Sequence, residues 1–250
     1  MSQLNLPSLS ISVRTLFTGY LLVMGIGFLM AGMQILLTHG MADGKIGVSV
    51  EDVVYSYHGN RNSSKLEVKL HGSMKDKAND KDRATLVKWA REGAPLEHWK
   101  KEVQPIFEAN CVQCHSTIPG LTSFKEYEDT AEVAKVDMGA SVDSLTRVSH
   151  IHLFGIAFIF IFVGFIFSLA VGINAKLKAF IIAIPFAFLI IDISSWWITS
   201  IFPSFAWFTI IGGFGYIMAF SFMWIVSIYQ MWVLAGNSTT YSSNEWSDQP

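Results

Sequence analysis

The apolar residues of this chain gather into four long runs, and its polar residues into one long block between the first run and the second. The first run goes from about Leu16 to Leu37. The others go from about His152 to Ile173, Phe180 to Ile201 and Phe205 to Leu234. A stretch of roughly twenty apolar residues is long enough as a helix to cross a ~30 Å hydrocarbon core. The pattern therefore predicts four transmembrane helices. A cleaved signal peptide would show a shorter apolar core of roughly 7–15 residues followed by a small-residue cleavage site. The first run has neither feature and is predicted to remain in the membrane as a signal anchor.

The polar block from Thr38 to about Val148 opens on turn-forming residues, His39 to Gly44. Val48 to Tyr57 and Leu66 to Leu70 alternate enough to suggest short strands or extended segments. Lys81 to Arg91 reads as a helix with an apolar stripe at Leu86, Val87, Trp89 and Ala90, ended by Gly93-Ala94-Pro95. A second helix is predicted from about Leu96 to Ala109. The expected fold is mainly α, with a mainly helical extracytoplasmic domain inserted between transmembrane helices 1 and 2. The expected divisions are 1–37 (stub and first span), 38–148 (inserted domain), 149–235 (three spans) and 236–250 (tail).

Charge follows the same division. The chain is 51% hydrophobic and 15% charged, against about 25% charged for an ordinary soluble domain. Of 18 Lys and Arg residues only Arg14, Lys176 and Lys178 lie outside the polar block, and of 20 acids only Asp192, Glu245 and Asp248 do. The short loop Asn174-Ala175-Lys176-Leu177-Lys178 marks the cytoplasmic side by the positive-inside rule, and Arg14 agrees with it. Both termini are then inside, with the tail from Gly236 to Pro250, and the polar block lies outside. Its many basic residues do not conflict, because long translocated loops are largely exempt. Trp196, Trp197, Phe202, Phe205, Trp207 and Trp232 cluster near helix ends as interfacial anchors would. A net charge of −2 gives no reason to expect nucleic acid.

The two cysteines stand together in Cys111-Val112-Gln113-Cys114-His115, a C-x-x-C-H motif. Two thiols one helical turn apart can add to the two vinyl groups of a haem, and the following histidine can ligate its iron. Zinc would require further ligands, and a thiol redox site would want a βαβ context that is missing. The motif thus predicts one covalent haem c, with Cys111 and Cys114 as thioether attachments and His115 as an axial iron ligand.

Val103 to His115, with Leu121 and Tyr127 beyond, resembles the attachment segment of bacterial membrane-anchored mono-haem c-type cytochromes, notably the planctomycete-type cytochrome c domains. Lys88 to Pro95 is similar to a segment that accompanies haem motifs in such domains. The resemblance covers about a quarter of the chain. It implies haem attachment outside the cytoplasm and electron transfer as the activity. The expected location is the bacterial inner membrane, with the haem domain on the periplasmic side.

A second axial ligand has three candidates. His150 and His152 stand where the second span begins, and Met138 lies in what reads as a flexible loop, Asp137-Met138-Gly139. The histidine pair stands ahead of Met138, and an open sixth position is a further alternative. Two residues apart on a helix, His150 and His152 point to nearly opposite sides, so both cannot face one iron. The other histidines, His39, His58, His71 and His98, read as ordinary surface or interface residues.

Asp192 is the acid within a span, where a charge costs about 2.5–3.5 kcal/mol. Ser194, Ser195 and Tyr216 are its expected partners. It serves either a packing hydrogen bond, which we favour, or a proton or quinone site. The spans offer histidines only at the outer edge, which argues against an intramembrane b-haem. Gly25, Gly27 and Ala31, and Gly212, Gly213 and Gly215, allow close helix contact.

Four spans exceed what tethering one haem requires, which points to a subunit of a larger membrane redox complex with a soluble or membrane electron-transfer partner. One alternative is a quinol-oxidising subunit using Asp192 and His150 or His152. Another is a haem-based sensor, against which the short tail argues.

Overall fold

The computed structural model describes residues 4–38, 40, 47–118 and 121–235. His39 and the tail expected in the cytoplasm lie outside these. The described residues are mainly helical and hold no strand. The chain divides into two compact units. One contains Met1–Ile35, Val142–Ile198 and Ser204–Pro250, and the other Leu36–Ser141 with Thr199–Pro203.

The first unit is built from four long helices: α1 (Ile11–Thr38), α9 (Val142–Ser168), α10 (Ala175–Ile201) and α11 (Ala206–Tyr229), the last extended by a π turn, Gln230–Leu234. Each is long and apolar enough to cross a membrane. The chain is a multi-pass membrane protein. α9 begins about ten residues before its apolar run. Hydropathy marks where a helix meets hydrocarbon, and the backbone hydrogen bonds continue past that point through Ser144, Thr146 and Arg147. Pro185 sits inside α10 without ending it.

Polar side chains tie the backbone at the ends of these helices. A 3-10 turn, Leu6–Ser8, is buried, and its Leu6 amide donates to the Leu169 carbonyl at 3.0 Å. Arg14 donates from Nε to Leu9 O and from Nη2 to Pro7 O, both at 2.8 Å. Gln230 accepts from the Val171 amide and donates to the Val171 carbonyl. Lys178 donates to the carbonyls of Ser168 and Ala170, just where α9 leaves its last carbonyls without helical partners.

The glycines of α11 do what small residues do at helix crossings. A Cβ on Gly212 would stand 2.8 Å from the backbone of Asp192, and one on Gly215 would strike the ring of Phe188. Gly25 of α1 meets Trp224 in the same way, whereas Gly27 has nothing within 4 Å and Gly213 meets only the Tyr216 hydroxyl. Packing through Gly25, Gly212 and Gly215 is therefore internal to this chain.

The second unit carries α2 (Val50–Tyr57), α3 (Lys65–His71), α4 (Asp80–Arg91), α5 (Leu96–His98), α6 (Gln104–Asn110), α7 (Val112–His115) and α8 (Tyr127–Ala134). The two segments expected as strands are the helices α2 and α3. Ser49 and Asp52 form a reciprocal capping box at the start of α2, and Ser64 caps α3 through the Glu67 amide. These caps satisfy amides that a helix start leaves open, which outweighs weak alternation in so short a segment.

α4 runs from Asn79 as its cap and ends at Gly93 and Ala94, both with positive φ, where the Ala94 amide donates to the Trp89 carbonyl. Leu66, Leu70, Leu86, Trp89, Trp99, Val103 and Phe107 form the core of this unit. The helix expected from Leu96 to Ala109 is present but contains a π turn, Trp99–Val103, between α5 and α6.

Gly212→Val should destabilise the protein by about 1–3 kcal/mol, because its methyls have no room against the α10 backbone. A lowered unfolding temperature in detergent is expected, with Gly27→Ala as a control close to wild type. Equal melting of Gly212→Val and wild type would contradict the packing described.

Candidate functional site

The C-x-x-C-H residues lie on a single helical turn. The Cys111 amide donates to Phe107 O at 2.8 Å, and the His115 amide donates to Cys111 O at 3.0 Å, so α7 follows α6 through Cys111, whose φ of −124° separates the two helices. Both cysteines are free thiols; Cys111 is half-buried and Cys114 exposed. Burial, and secondarily the neighbouring Cys114, pushes the Cys111 thiol up to about 11.

His115 is oriented from two sides. Its Nδ1 lies 3.0 Å from the Thr122 carbonyl. A carbonyl can only accept, so Nδ1 carries the proton and Nε2 keeps its lone pair. Phe124 packs beside the imidazole with centroids 4.6 Å apart, and stacks on Phe107 at 4.7 Å. Phe124 has a φ of 57°, a left-handed conformation rare for an aromatic residue, held by its buried position in the core.

Further back, Tyr127 donates to Ala94 O at 2.8 Å and Trp89 donates to Pro95 O at 3.1 Å. The two segments quoted for the family resemblance thus meet in one aromatic cluster of Trp89, Trp99, Phe107 and Tyr127. On the chain just after the motif, Ile118 is 52% and Leu121 46% exposed.

These residues fit a haem. The thiols are one turn apart, the histidine offers Nε2, and large apolar side chains stand in the open beside them. Among the described residues no group of three or more His, Cys, Asp and Glu is placed to hold a metal ion. A haem iron takes most of its ligands from the porphyrin and needs only axial ones from protein.

The structure places the other candidates as follows. Met138 is 62% exposed, but its segment is tied down rather than loose. Asp137 N donates to Ser63 O, Ala140 N donates to Tyr57 O, and Gly139 N donates to the Asp137 carboxylate. Gly59 and Gly139, both with positive φ, interlock so closely that a Cβ on either would meet the other strand of chain at under 2.5 Å. The expected flexibility of this loop is thereby corrected.

In the membrane unit, His150 is exposed and its Nδ1 bonds the Thr146 carbonyl, while His152 is half-buried and bonds the Val148 carbonyl at 2.8 Å. His152 also stands edge-to-face with Trp196 at 5.2 Å. Among the remaining histidines, His58 bonds the Ser200 carbonyl at 3.0 Å, beside Arg61, which donates to the same oxygen. His71 bonds Glu67 O, and His98 meets Glu102.

Asp192 is buried in α10. Its partners differ in part from those expected. Trp196, one turn on, donates from Nε1 to its carboxylate at 2.9 Å, and Tyr216 hydrogen-bonds it from α11. Ser194 faces outward, and Ser195 donates to the Asp192 backbone carbonyl while meeting the Thr209 hydroxyl at 2.6 Å. Trp196, expected as an interfacial anchor, is instead buried as a partner of Asp192, and the i, i+4 spacing between them is the signal that marks the pair. Thr122 and Phe124 left no such signal.

Compared with known proteins, residues 127–238 match the profile of a family described as a transmembrane helical domain. The match spans α8 to α11 and stops short of the C-x-x-C-H segment. No curated protein and no solved structure matches the chain.

In protein made without haem attachment, Cys111 should alkylate at least about tenfold more slowly than an unhindered thiol at pH 8, because a raised pKa leaves little thiolate. Its rate should climb as the pH approaches about 11. Mass-mapped alkylation across a pH series measures this, and modification of Cys111 as fast as Cys114 at pH 8 would contradict it.

Proposed function

We propose that this chain is a membrane-bound mono-haem c-type cytochrome that transfers electrons within, or to, a larger membrane redox complex. The observation that carries the reading is the arrangement of Cys111, Cys114 and His115 on one turn, with Nδ1 of His115 engaged by the Thr122 carbonyl. Attachment of the ring at both thiols would fix it against this turn. The bond to Thr122 then holds the imidazole plane and raises the basicity of Nε2, as a second partner does for metal-bound histidines generally. Haem, when attached, supplies a one-electron carrier. Ile118 and Leu121 would cover its apolar face and keep water from it.

The membrane part supports an inserted domain on the outer side. Two spans, α9 and α10, separate the insert from the loop at Ser200, so an even number of crossings returns the chain to the same side. His58 and Arg61 of the insert bonding the Ser200 carbonyl agree with that parity. Arg14, Lys176 and Lys178, on segments an odd number of crossings away, support an inner face there. Other subunits of a redox complex and a soluble or membrane electron carrier are the partners this reading calls for.

The test is direct. Protein expressed in a bacterium with haem attachment machinery is expected to stain for haem peroxidase on a denaturing gel and to be heavier by the mass of one haem. Cys111→Ala with Cys114→Ala should abolish the stain, and His115→Ala should shift the absorption spectrum of any haem retained. A bare polypeptide mass for wild type would sink the proposal.

A further inference from the structure

Three spans bring one side chain or more each to a common polar cluster inside the membrane unit: His152 from α9, Asp192 and Trp196 from α10, and Tyr216 from α11. We propose that this cluster binds the headgroup of a membrane quinol. The preference for a quinol over other amphiphiles rests on the electron-transfer reading above; the site itself rests on the following observations.

Packing alone does not account for Asp192. The hydroxyls of Ser195 and Thr209 already meet at 2.6 Å across the same pair of helices, and Gly212 brings the α11 backbone against Asp192 without needing its carboxylate. A neutral residue there would spare the cost of an acid in hydrocarbon. What the carboxylate adds is an anchor. It accepts the Trp196 indole N–H at 2.9 Å, and the anchored indole stands edge-to-face with His152. The imidazole is also fixed through Nδ1 to the Val148 carbonyl. That bond puts the ring proton on Nδ1 and leaves Nε2 as an acceptor at the start of a span.

His152 is thus an oriented acceptor, half-buried, beside an indole wall. This is what the hydroxyl of a flat aromatic ring arriving from the bilayer requires. Tyr216, also half-buried, offers a second hydroxyl next to Asp192. His150 has none of this: it is exposed and its one described bond is to its own helix. The structure therefore separates the two histidines, and Asp192 is a positioning residue that acts through Trp196.

The experiment uses the full chain in lipid nanodiscs. A photoreactive azidobenzoquinol with a decyl tail, kept reduced by excluding oxygen, is cross-linked, and the labelled peptides are mapped by mass with and without excess decylbenzoquinol. Labelling at or beside His152 or Trp196, competed by the excess, is expected. Uncompeted labelling scattered over lipid-facing residues would overturn the site.

The concentration of decylbenzoquinol that halves the cross-link gives the affinity. His152→Ala should weaken it about tenfold, the loss of one hydrogen bond to a desolvated partner. Asp192→Asn should weaken it less, because an amide oxygen still accepts from Trp196. Wild-type affinity in His152→Ala would also overturn the proposal. Haem staining of the same preparation separates the two readings. A haem-loaded protein without competed labelling removes the quinol site and leaves the cytochrome. Competed labelling on haem-free protein supports the site and removes the cytochrome.

Discussion

The bond between His115 Nδ1 and the Thr122 carbonyl is the constraint on which the site of the second unit depends. It selects the imidazole tautomer, fixes the ring plane and sets which nitrogen is left to act. Thr122 lies seven residues beyond the histidine it bonds, and Phe124, two residues further, adopts a left-handed conformation. Stacking on Phe107 holds that residue there. The aromatic core of the second unit is thus the support for one hydrogen bond, and the same core joins α4 to α8 through Tyr127 and Trp89.

The membrane unit is governed by a different rule. In hydrocarbon no solvent is available to satisfy polar groups, so a partner within the protein matters more there, although Ser227 Oγ of α11 is buried without one among the described residues. Asp192 finds its partners in Trp196 and Tyr216, Gln230 in both backbone groups of Val171, and Lys178 in the last carbonyls of α9. Close helix approach comes from glycine, and the polar groups sit where that approach brings them within reach. The same histidine chemistry recurs in both units, with Nδ1 committed to a carbonyl and Nε2 left over.

Much of this was legible in the residues. Spans are readable because a bilayer imposes a length on them, and the helical turn that carries Cys111, Cys114 and His115 follows the contiguous residues of the motif. The beginning of α9 was not legible from hydropathy, which reports the solvent around a helix and not its hydrogen bonds. The strands expected at Val48 to Tyr57 and Leu66 to Leu70 rested on alternation over very few residues, whereas Ser49 with Asp52 three positions on was a helix-start signal within the same segment. Met138 looked mobile because its neighbours are small and polar. The interlock of Gly59 with Gly139 depends on two segments about eighty residues apart in sequence, a contact no local pattern announces. Thr122 and Phe124 were hidden for the same reason.

The π turn at Trp99–Val103 has a consequence for how the motif is aimed. A π turn holds about one residue more than an α turn of the same height. Trp99, Val103 and Phe107, each four apart, all face the core across it, a spacing that would drift steadily around an ordinary helix. Wound instead as regular α-helix with the same residues, this run would carry one residue too many for its turn. Everything after it would then swing by roughly 100°. The thiols and the imidazole would point away from Phe124 and Thr122 without a single one of them being altered. The phase of this short helix, and not only its composition, determines where the site looks.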